Sequence, residues 1–276
     1  MTIKKALNLG QIALKDVTDR PRFEAELLLS HYLKRDRVYL FTHPDEEISS
    51  NFLSLYIKAV KKRKKHYPVE YILKRVSFYS EEFYIEEGVL IPRPETELLI
   101  DKVLEKVDKD KSYNIAEIGI GSGVISIILA TKLKKSRFFA TDISKKALEV
   151  AKRNIEKFDL EEKIVLKNCS YLDCIDEKID ILVSNPPYIA KDFSLDKNVL
   201  YEPKEALFGG EKGDEILKNI IDMAIKKQVK LLACEMGYDQ RESIENYCKE
   251  KGLKPSFYKD LAGIDRGFII KMDIGH

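Results

Sequence analysis

The stretch "VSNPPYIA" (183–190) ends an apolar run at Asn185 and follows it with Pro186, Pro187 and Tyr188. Proline fixes φ and removes the backbone donor, so this backbone offers only carbonyl acceptors. The Asn185 side-chain oxygen adds another. Two acceptors converging on one point suit a planar –NH2 group, which has two hydrogens to donate, and the Tyr188 ring can stack on its π-system. Such a nitrogen is a poor nucleophile because its lone pair is delocalised; in an amide the ~18–20 kcal/mol rotation barrier measures that delocalisation. Binding both N–H groups to acceptors raises electron density on the nitrogen as it begins to bond to carbon. It also aims the nitrogen at an electrophile about 3–3.5 Å away. The bland alternative is a rigid Pro-Pro loop over a core tyrosine.

A second stretch, "EIGIGSG" (117–123), lies between a predicted strand and a predicted helix. Gly119, Gly121 and Gly123 permit positive φ and close backbone approach. With Glu117, Ile120 and Ser122 they form a candidate cofactor loop. The dinucleotide fingerprint G-x-G-x-x-G is not met, because Val124 stands at its third glycine. The G-x-G-x-G spacing is instead similar to the loop of class I S-adenosylmethionine methyltransferases. Asp142 ends the next predicted strand, 23 residues after Gly119, where a carboxylate can accept both ribose hydroxyls of an adenosine. A tight strand–helix turn would also use three glycines, and Asp142 could simply cap the helix that starts beside Ser144. Loop and acid together point to an adenosine-containing cofactor without separating S-adenosylmethionine from NAD. Asn185–Tyr188 leans toward the former: a sulfonium is a good leaving group, no strong general base is needed, and the chemistry is amino-group methylation.

The elements that must position these residues follow from periodicity. Residues 1 to about 75 carry only helical signals. "RPRFEAELLLSHYLKR" has Asp19 as a possible cap and Pro21 near the first turn, and "SSNFLSLYIKAVKKRKKH" places Phe52, Leu55, Tyr56, Ala59 and Val60 on one face. Residues 76–92 alternate and are rich in aromatics, as a connecting hairpin would be. Beyond them strands at 113–119, 137–142, 163–168, 179–185 and 230–237 alternate with helices at 123–135, 144–158, 213–227 and 239–251. "PSFYKD" and "GFIIKMD" read as a terminal antiparallel hairpin. Alternation predicts a parallel sheet covered on both faces, with ligands at the strands' C-terminal ends.

Composition sets the bounds. With 276 residues, 44% hydrophobic and 34% charged, the chain is globular rather than disordered, and a net charge of +2 is too mild to argue for nucleic acid. Cys169, Cys174, Cys234 and Cys248 have no C-x-x-C spacing, so reduced thiols are expected rather than a disulfide or metal site. His31, His43, His66 and His276 make no metal cluster. No run approaches the ~20 apolar residues of a membrane span, so a soluble, cytoplasmic protein with no membrane partner is expected.

The chain as a whole resembles the HemK/PrmC protein-(glutamine-N5) methyltransferases. "RPRFEAELLLSHYL" is similar to the family's N-terminal helix, "PVEYIL" (68–73) to its interdomain segment and "LIPRPETE" (90–97) to its signature before the catalytic domain. "EIGIGSG", Asp142, "SNPPYIA" and "YEPKEALFGG" (201–210) follow in family order. The resemblance implies a Rossmann-like class I fold with a mostly parallel seven-stranded sheet. It divides the chain into a helical release-factor-docking domain (1–75), a hairpin connector (76–92) and a catalytic domain (93–276). It implies S-adenosylmethionine as methyl donor, S-adenosylhomocysteine as product, no metal, and a release-factor glutamine in a Gly-Gly-Gln motif as acceptor. Asn185 and the Pro186 carbonyl would hold that amide, with Tyr188 against it. The family's acid–aromatic pair near the adenine falls on Cys169–Ser170, and a one-residue slip brings in Tyr171, so Ser170 and Tyr171 are the adenine candidates.

Rival readings remain at this level. A nucleic-acid amino-methyltransferase would use the same acceptors on adenine N6 or guanine N2, with Tyr188 stacked on a flipped base. Against it, no target-recognition domain or strongly basic catalytic half is evident, and no stable nucleic-acid partner is expected. A non-catalytic cofactor-binding adaptor would not need an amine grip. The run "KAVKKRKKH" (58–66) could touch RNA or be a solvated helix end. Arg93, Glu95 and Glu202 could border a site or fix the connector by ion pairing.

Overall fold

The computed structural model describes residues 1–272; Asp273, which ends the predicted strand 267–273, and His276 lie outside the described residues. Two compact units are present. The first comprises Met1–Arg75 with Leu195–Tyr201. Its helices are α1 (Ile3–Leu14), α2 (Pro21–Leu33), α3 (Arg37–Thr42), α4 (Ser50–Arg63) and α5 (Val69–Leu73). Thr2, Asp36 and Ser49 cap α1, α3 and α4 by accepting first-turn N–H groups. Pro21 opens α2 as expected, but the N-cap is Arg20 and makes no side-chain cap bond; Asp19 is one residue too early to serve. On α4 the expected stripe is rotated. Tyr56, Ala59 and Val60 are buried, whereas Phe52 and Leu55 are 40% and 43% exposed. The packed stripe runs through Leu53, Tyr56, Ile57 and Val60, at 3.6-residue spacing, to Arg63. Arg63 is therefore buried inside the basic run and pairs with Glu24 of α2 at 2.6 Å, while Lys61, Lys62, Lys64 and Lys65 around it are exposed.

The second unit comprises Val76–Ser194 and the chain from Glu202 onward. It opens with the predicted hairpin, β1 (Arg75–Phe78) and β2 (Glu81–Tyr84), whose two turn residues Tyr79 and Ser80 both take positive φ. Then follow α6 (Thr96–Leu104), β3 (Asn114–Ile118), α7 (Val124–Lys132), β4 (Arg137–Asp142), α8 (Lys145–Lys157), β5 (Ile164–Asn168), β6 (Ile181–Ser184) and the short β7 (Ile189–Ala190). The chain continues through β8 (Phe208–Gly210), α9 (Glu215–Lys226), β9 (Leu231–Glu235), α10 (Arg241–Glu250), β10 (Ser256–Lys259) and β11 (Asp265–Lys271). The main sheet has seven strands in the order β10-β11-β9-β6-β3-β4-β5. From β9 to β5 every pair is parallel, and β11 joins β9 and β10 antiparallel, so the terminal hairpin is present.

Strand alternation builds the two faces. Ile115, Ile181, Val183 and Ala233 pack toward α6, α7 and α8, while Ala116, Leu182, Leu232 and Cys234 pack toward α9 and α10. Both faces are thereby covered, and functional groups can reach solvent only at the strand ends.

Candidate functional site

From β3 the chain runs outward to β4 and β5, then returns to place β6 on the other side of β3. That reversal opens a crevice at the C-terminal ends of β3 and β6. Register brings the key residues together there. Ile118 pairs with Thr141 and with Ser184, and Ser184 pairs with Cys234. The next residues along, Gly119, Asp142, Asn185 and Glu235, therefore emerge side by side. The Ser184 hydroxyl donates to the Ile118 carbonyl at 2.7 Å, fixing β6 to β3 at that point.

A cavity of about 190 Å³ fills the crevice, lined by Gly119, Gly121, Asp142, Ser170, Tyr171, Asn185 and Pro187 among the expected residues. Gly119 and Gly121 have φ of +73° and +55°, and a Cβ added to either would meet nothing within 4 Å. These are bare backbone positions facing open space, where a ligand can approach closely. Four members of the loop lie elsewhere. Ile120 is core, Gly123 precedes α7 against α8, and the Ser122 carbonyl accepts from the buried Asn154 amide of α8 at 2.8 Å. The Glu117 carboxylate accepts from the backbone N–H of Ser126 at 3.0 Å and from the Ser126 hydroxyl. Burial pushes its pKa up to about 8, against those two bonds.

Asp142 faces the cavity. One carboxylate oxygen accepts from Gly121 N–H at 3.0 Å and the other from Ser144 N–H at 2.8 Å. Ser144 itself caps α8. Each oxygen keeps lone-pair capacity for a further donor. Ser170 and Tyr171 form the neighbouring wall, and the Tyr171 carbonyl accepts from Thr141 Oγ1 at 2.6 Å. The expectation of four reduced thiols is corrected here. Cys169 and Cys174 form a disulfide across the turn that carries this wall, while Cys234 and Cys248 are free and buried. A separation of five residues carries no motif, but the turn brings the two Cα atoms to 6.2 Å, within bridging range.

At the end of β6, Asn185 Nδ2 donates to Thr96 Oγ1 at 3.0 Å, and Thr96 Oγ1 donates to Glu235 at 2.6 Å. The Tyr188 hydroxyl donates to the other Glu235 oxygen at 3.0 Å. Burial and the facing Glu235 push the Tyr188 phenol far above its usual range, so it stays a donor. Burial also pushes Glu235 up to about 7, although both hydroxyl bonds pull the other way. Pro186 is buried, and the Tyr188 carbonyl accepts from Gln240 Nε2 at 2.8 Å. Strand β8 pairs with β7 and lies so close that a Cβ on Gly209 would stand 2.5 Å from the Pro187 carbonyl oxygen.

Arg93 and Glu95 act as connectors: Arg93 pairs with the buried Glu202 at 2.5 Å, and Glu95 lies 3.6 Å from Arg266. Glu202 also accepts from Ile91 N–H at 2.9 Å. The sequence reading missed Thr96 and Glu235, and also Gly88, Val89, Leu90 and Glu205, which line the cavity. One signal was available: Glu235 is a carboxylate closing an otherwise apolar buried strand. Among the described residues no cluster suits a metal ion, and no described helix is long and apolar enough to cross a membrane.

Comparison with known proteins matches both units. Residues 5–73 match the family model described as PrmC N-terminal domain, and residues 94–210 match Methyltransferase small domain. A release factor glutamine methyltransferase of Clostridium acetobutylicum is 36% identical over 96% of this chain and 97% of its own length. One from Aquifex aeolicus is 32% identical over 96% and 97%. Among solved structures, a methyltransferase from Pyrococcus furiosus (TM-score 0.53, 16% identity) covers 70% of this chain and 89% of its own. The N-terminal domain of human METTL16 in complex with SAH (TM-score 0.50, 16% identity) covers 90% and 94%. The fold is that of class I methyltransferases.

Proposed function

The chain belongs to the release factor glutamine methyltransferase family, and from that membership we propose that it methylates the side-chain amide nitrogen (N5) of the glutamine in the Gly-Gly-Gln motif of a peptide-chain release factor. The observation that carries this reading is the extent of the match. It runs through the helical unit as well as the catalytic one, where Asn185–Tyr188 alone would suit any planar amine. The substrate places the reaction in the cytoplasm.

The residues present fit S-adenosylmethionine. Gly119 and Gly121 leave unobstructed backbone for its amino-acid end, Asp142 has acceptor capacity for ribose hydroxyls, and Ser170 and Tyr171 wall the side suited to adenine. When bound, this cofactor supplies an electrophilic methyl group on a sulfonium that leaves readily, becoming S-adenosylhomocysteine. The chain's own part is orientation. Asn185 Oδ1 and the Pro186 carbonyl accept the two amide N–H groups of the glutamine, which raises electron density on nitrogen and aims it. The Tyr188 ring packs against the amide plane. Its hydroxyl is committed to Glu235 and serves as no base, so the nitrogen gives up one of its two protons to solvent after the methyl has transferred. Ile120, Ser122, Gly123 and Glu117 shape the loop from beneath, and Pro187 holds the grip rigid. The helical unit docks the release factor, and no metal takes part.

Incubating the purified protein with methyl-labelled cofactor and a release factor tests this. The release factor acquires label, and replacing the Gly-Gly-Gln glutamine abolishes it. Efficient labelling of naked DNA or rRNA, with the release factor inert, would reassign the enzyme to nucleic acid.

A further inference from the structure

We propose that Thr96 and Glu235 are positioning residues that decide which end of the Asn185 amide faces the substrate, with Glu235 holding Tyr188 by the same carboxylate. The proposal rests on the functional reading above, and its argument is one of donors and acceptors. An ionised carboxylate can only accept. The Thr96 hydroxyl, 2.6 Å from Glu235, must therefore spend its single hydrogen there. Its oxygen is then left to accept, and what it accepts 3.0 Å away must be the –NH2 end of Asn185. The oxygen end of that planar amide is thereby turned to the cavity, which Asn185 lines. The two ends of an asparagine amide are nearly equal in shape, so packing alone does not choose between them; the relay does. Without it, Asn185 could present its own donors to a substrate –NH2 and repel it.

The other Glu235 oxygen takes the Tyr188 hydroxyl at 3.0 Å. One buried carboxylate thus fixes both ends of the Asn185–Tyr188 segment, from a strand adjacent to β6 and through the first residue of α6. Such a fully connected buried network holds its members in one arrangement.

The relay depends on charge. The groups acting on Glu235 are the hydroxyls of Thr96 and Tyr188, the Glu95 carboxylate before α6 and the Arg266 guanidinium of β11; the Tyr258 phenol of β10 feels Glu235 in turn. Burial outweighs the hydroxyl bonds and the guanidinium and brings the carboxyl to about 7. Once protonated, Glu235 can donate to Thr96. Thr96 is then free to donate to Asn185, and the amide can turn over.

Steady-state kinetics on a release factor across pH 6–9 read this directly. Thr96→Val is expected to lower kcat by roughly tenfold or more, the rate equivalent of one lost buried hydrogen bond, with cofactor affinity unchanged. Thr96→Ser, which keeps the hydroxyl, restores kcat. The wild-type kcat falls on the acid side with an apparent pKa near 7, and Glu235→Gln removes that limb. Equal kcat in Thr96→Val and wild type, or a limb that survives Glu235→Gln, overturns the relay and leaves the functional reading standing. Side-chain amide NMR of Asn185 tests the relay without turnover. Its resonances shift through the same pH range in wild type and stay fixed in Glu235→Gln. Resonances that ignore pH in wild type overturn the relay, even should the release factor prove not to be the substrate.

Discussion

Asn185 and Asp142 emerge from neighbouring strand ends, and removing each should fail in a different kinetic constant. In the proposed reaction Asn185 presents an acceptor whose work is done as the nitrogen attacks, so Asn185→Ala is expected to cost roughly 10²–10³ in kcat, by analogy with removing one preorganised transition-state contact. Cofactor affinity should hold. Asp142→Ala removes the carboxylate that ties Gly121 and Ser144 to the cavity, and should weaken cofactor binding with kcat at saturation little changed. Isothermal titration with the cofactor, beside steady-state rates, separates the two; cofactor binding that collapses in Asn185→Ala with a normal saturated rate would make Asn185 a cofactor residue only. The Asn185–Tyr188 segment was legible in the sequence as the proposed grip because it is local: consecutive prolines announce a donor-free backbone wherever they stand. Thr96 and Glu235 were not, because they meet across 139 residues of chain: the parallel register of β6 on β9 sets Glu235 beside Asn185, and the packing of α6 against β9 brings in Thr96. Glu117 was legible as a carboxylate, but its direction, inward to Ser126 rather than toward the cavity, was set by α7 packing back on β3.

Elements were legible where period and punctuation agree. The strands and helices expected of the second unit fall within two residues of expectation, except that α7 ends at Lys132, three residues short; α6, β7 and β8 were not expected as elements. A face was misjudged as well: the α4 stripe through Arg63 is set by Glu24 on another helix. Strand β8 was visible only as a family-like segment, and its reason is steric. A Cβ on Gly209 would press on the backbone of Pro187 and Tyr188, so Gly209→Ala must move the grip itself. Gly121→Ala meets no atom but forces alanine into positive φ and fills the cavity edge, a strain of roughly 1–2 kcal/mol. The two alanines should therefore diverge, Gly209→Ala losing kcat and Gly121→Ala losing cofactor affinity. If both raised only the cofactor dissociation constant, β8 would be part of the cofactor site rather than a support for Asn185–Tyr188.

For the whole molecule, two buried glutamates set an unusual dependence of stability on pH. Glu117 is pushed up to about 8 and Glu235 to about 7, both chiefly by burial, from an ordinary value near 4.5. Between that value and the raised ones the folded chain holds protons that the unfolded chain has released. The fold therefore loses stability as pH rises through this window. Asp180, Asp214, Asp222 and Asp260 behave oppositely, each held below its ordinary value by hydrogen bonds and cations despite burial at the first three. Their stabilisation is present at neutral pH and is lost only as pH falls through their lowered values. His31, lowered by burial and by Arg75, disfavours folding only below about 6.5. Across pH 6.5 to 8.5 these two glutamates set the slope, and the carboxyl of Asp142 and the thiols of Cys234 and Cys248, also raised by burial, act in the same direction. The cofactor-free protein is expected to melt at a lower temperature at pH 8.5 than at 6.5, the loss of stability being about a few kcal/mol at most. Glu235→Gln, with no charge to bury, should flatten part of that slope and gain stability relative to wild type at the alkaline end. Calorimetry across the interval checks this, and a melting temperature that stays level or climbs with pH would overturn it, a level one meaning that Glu117 and Glu235 ionise in the fold as readily as in the open chain.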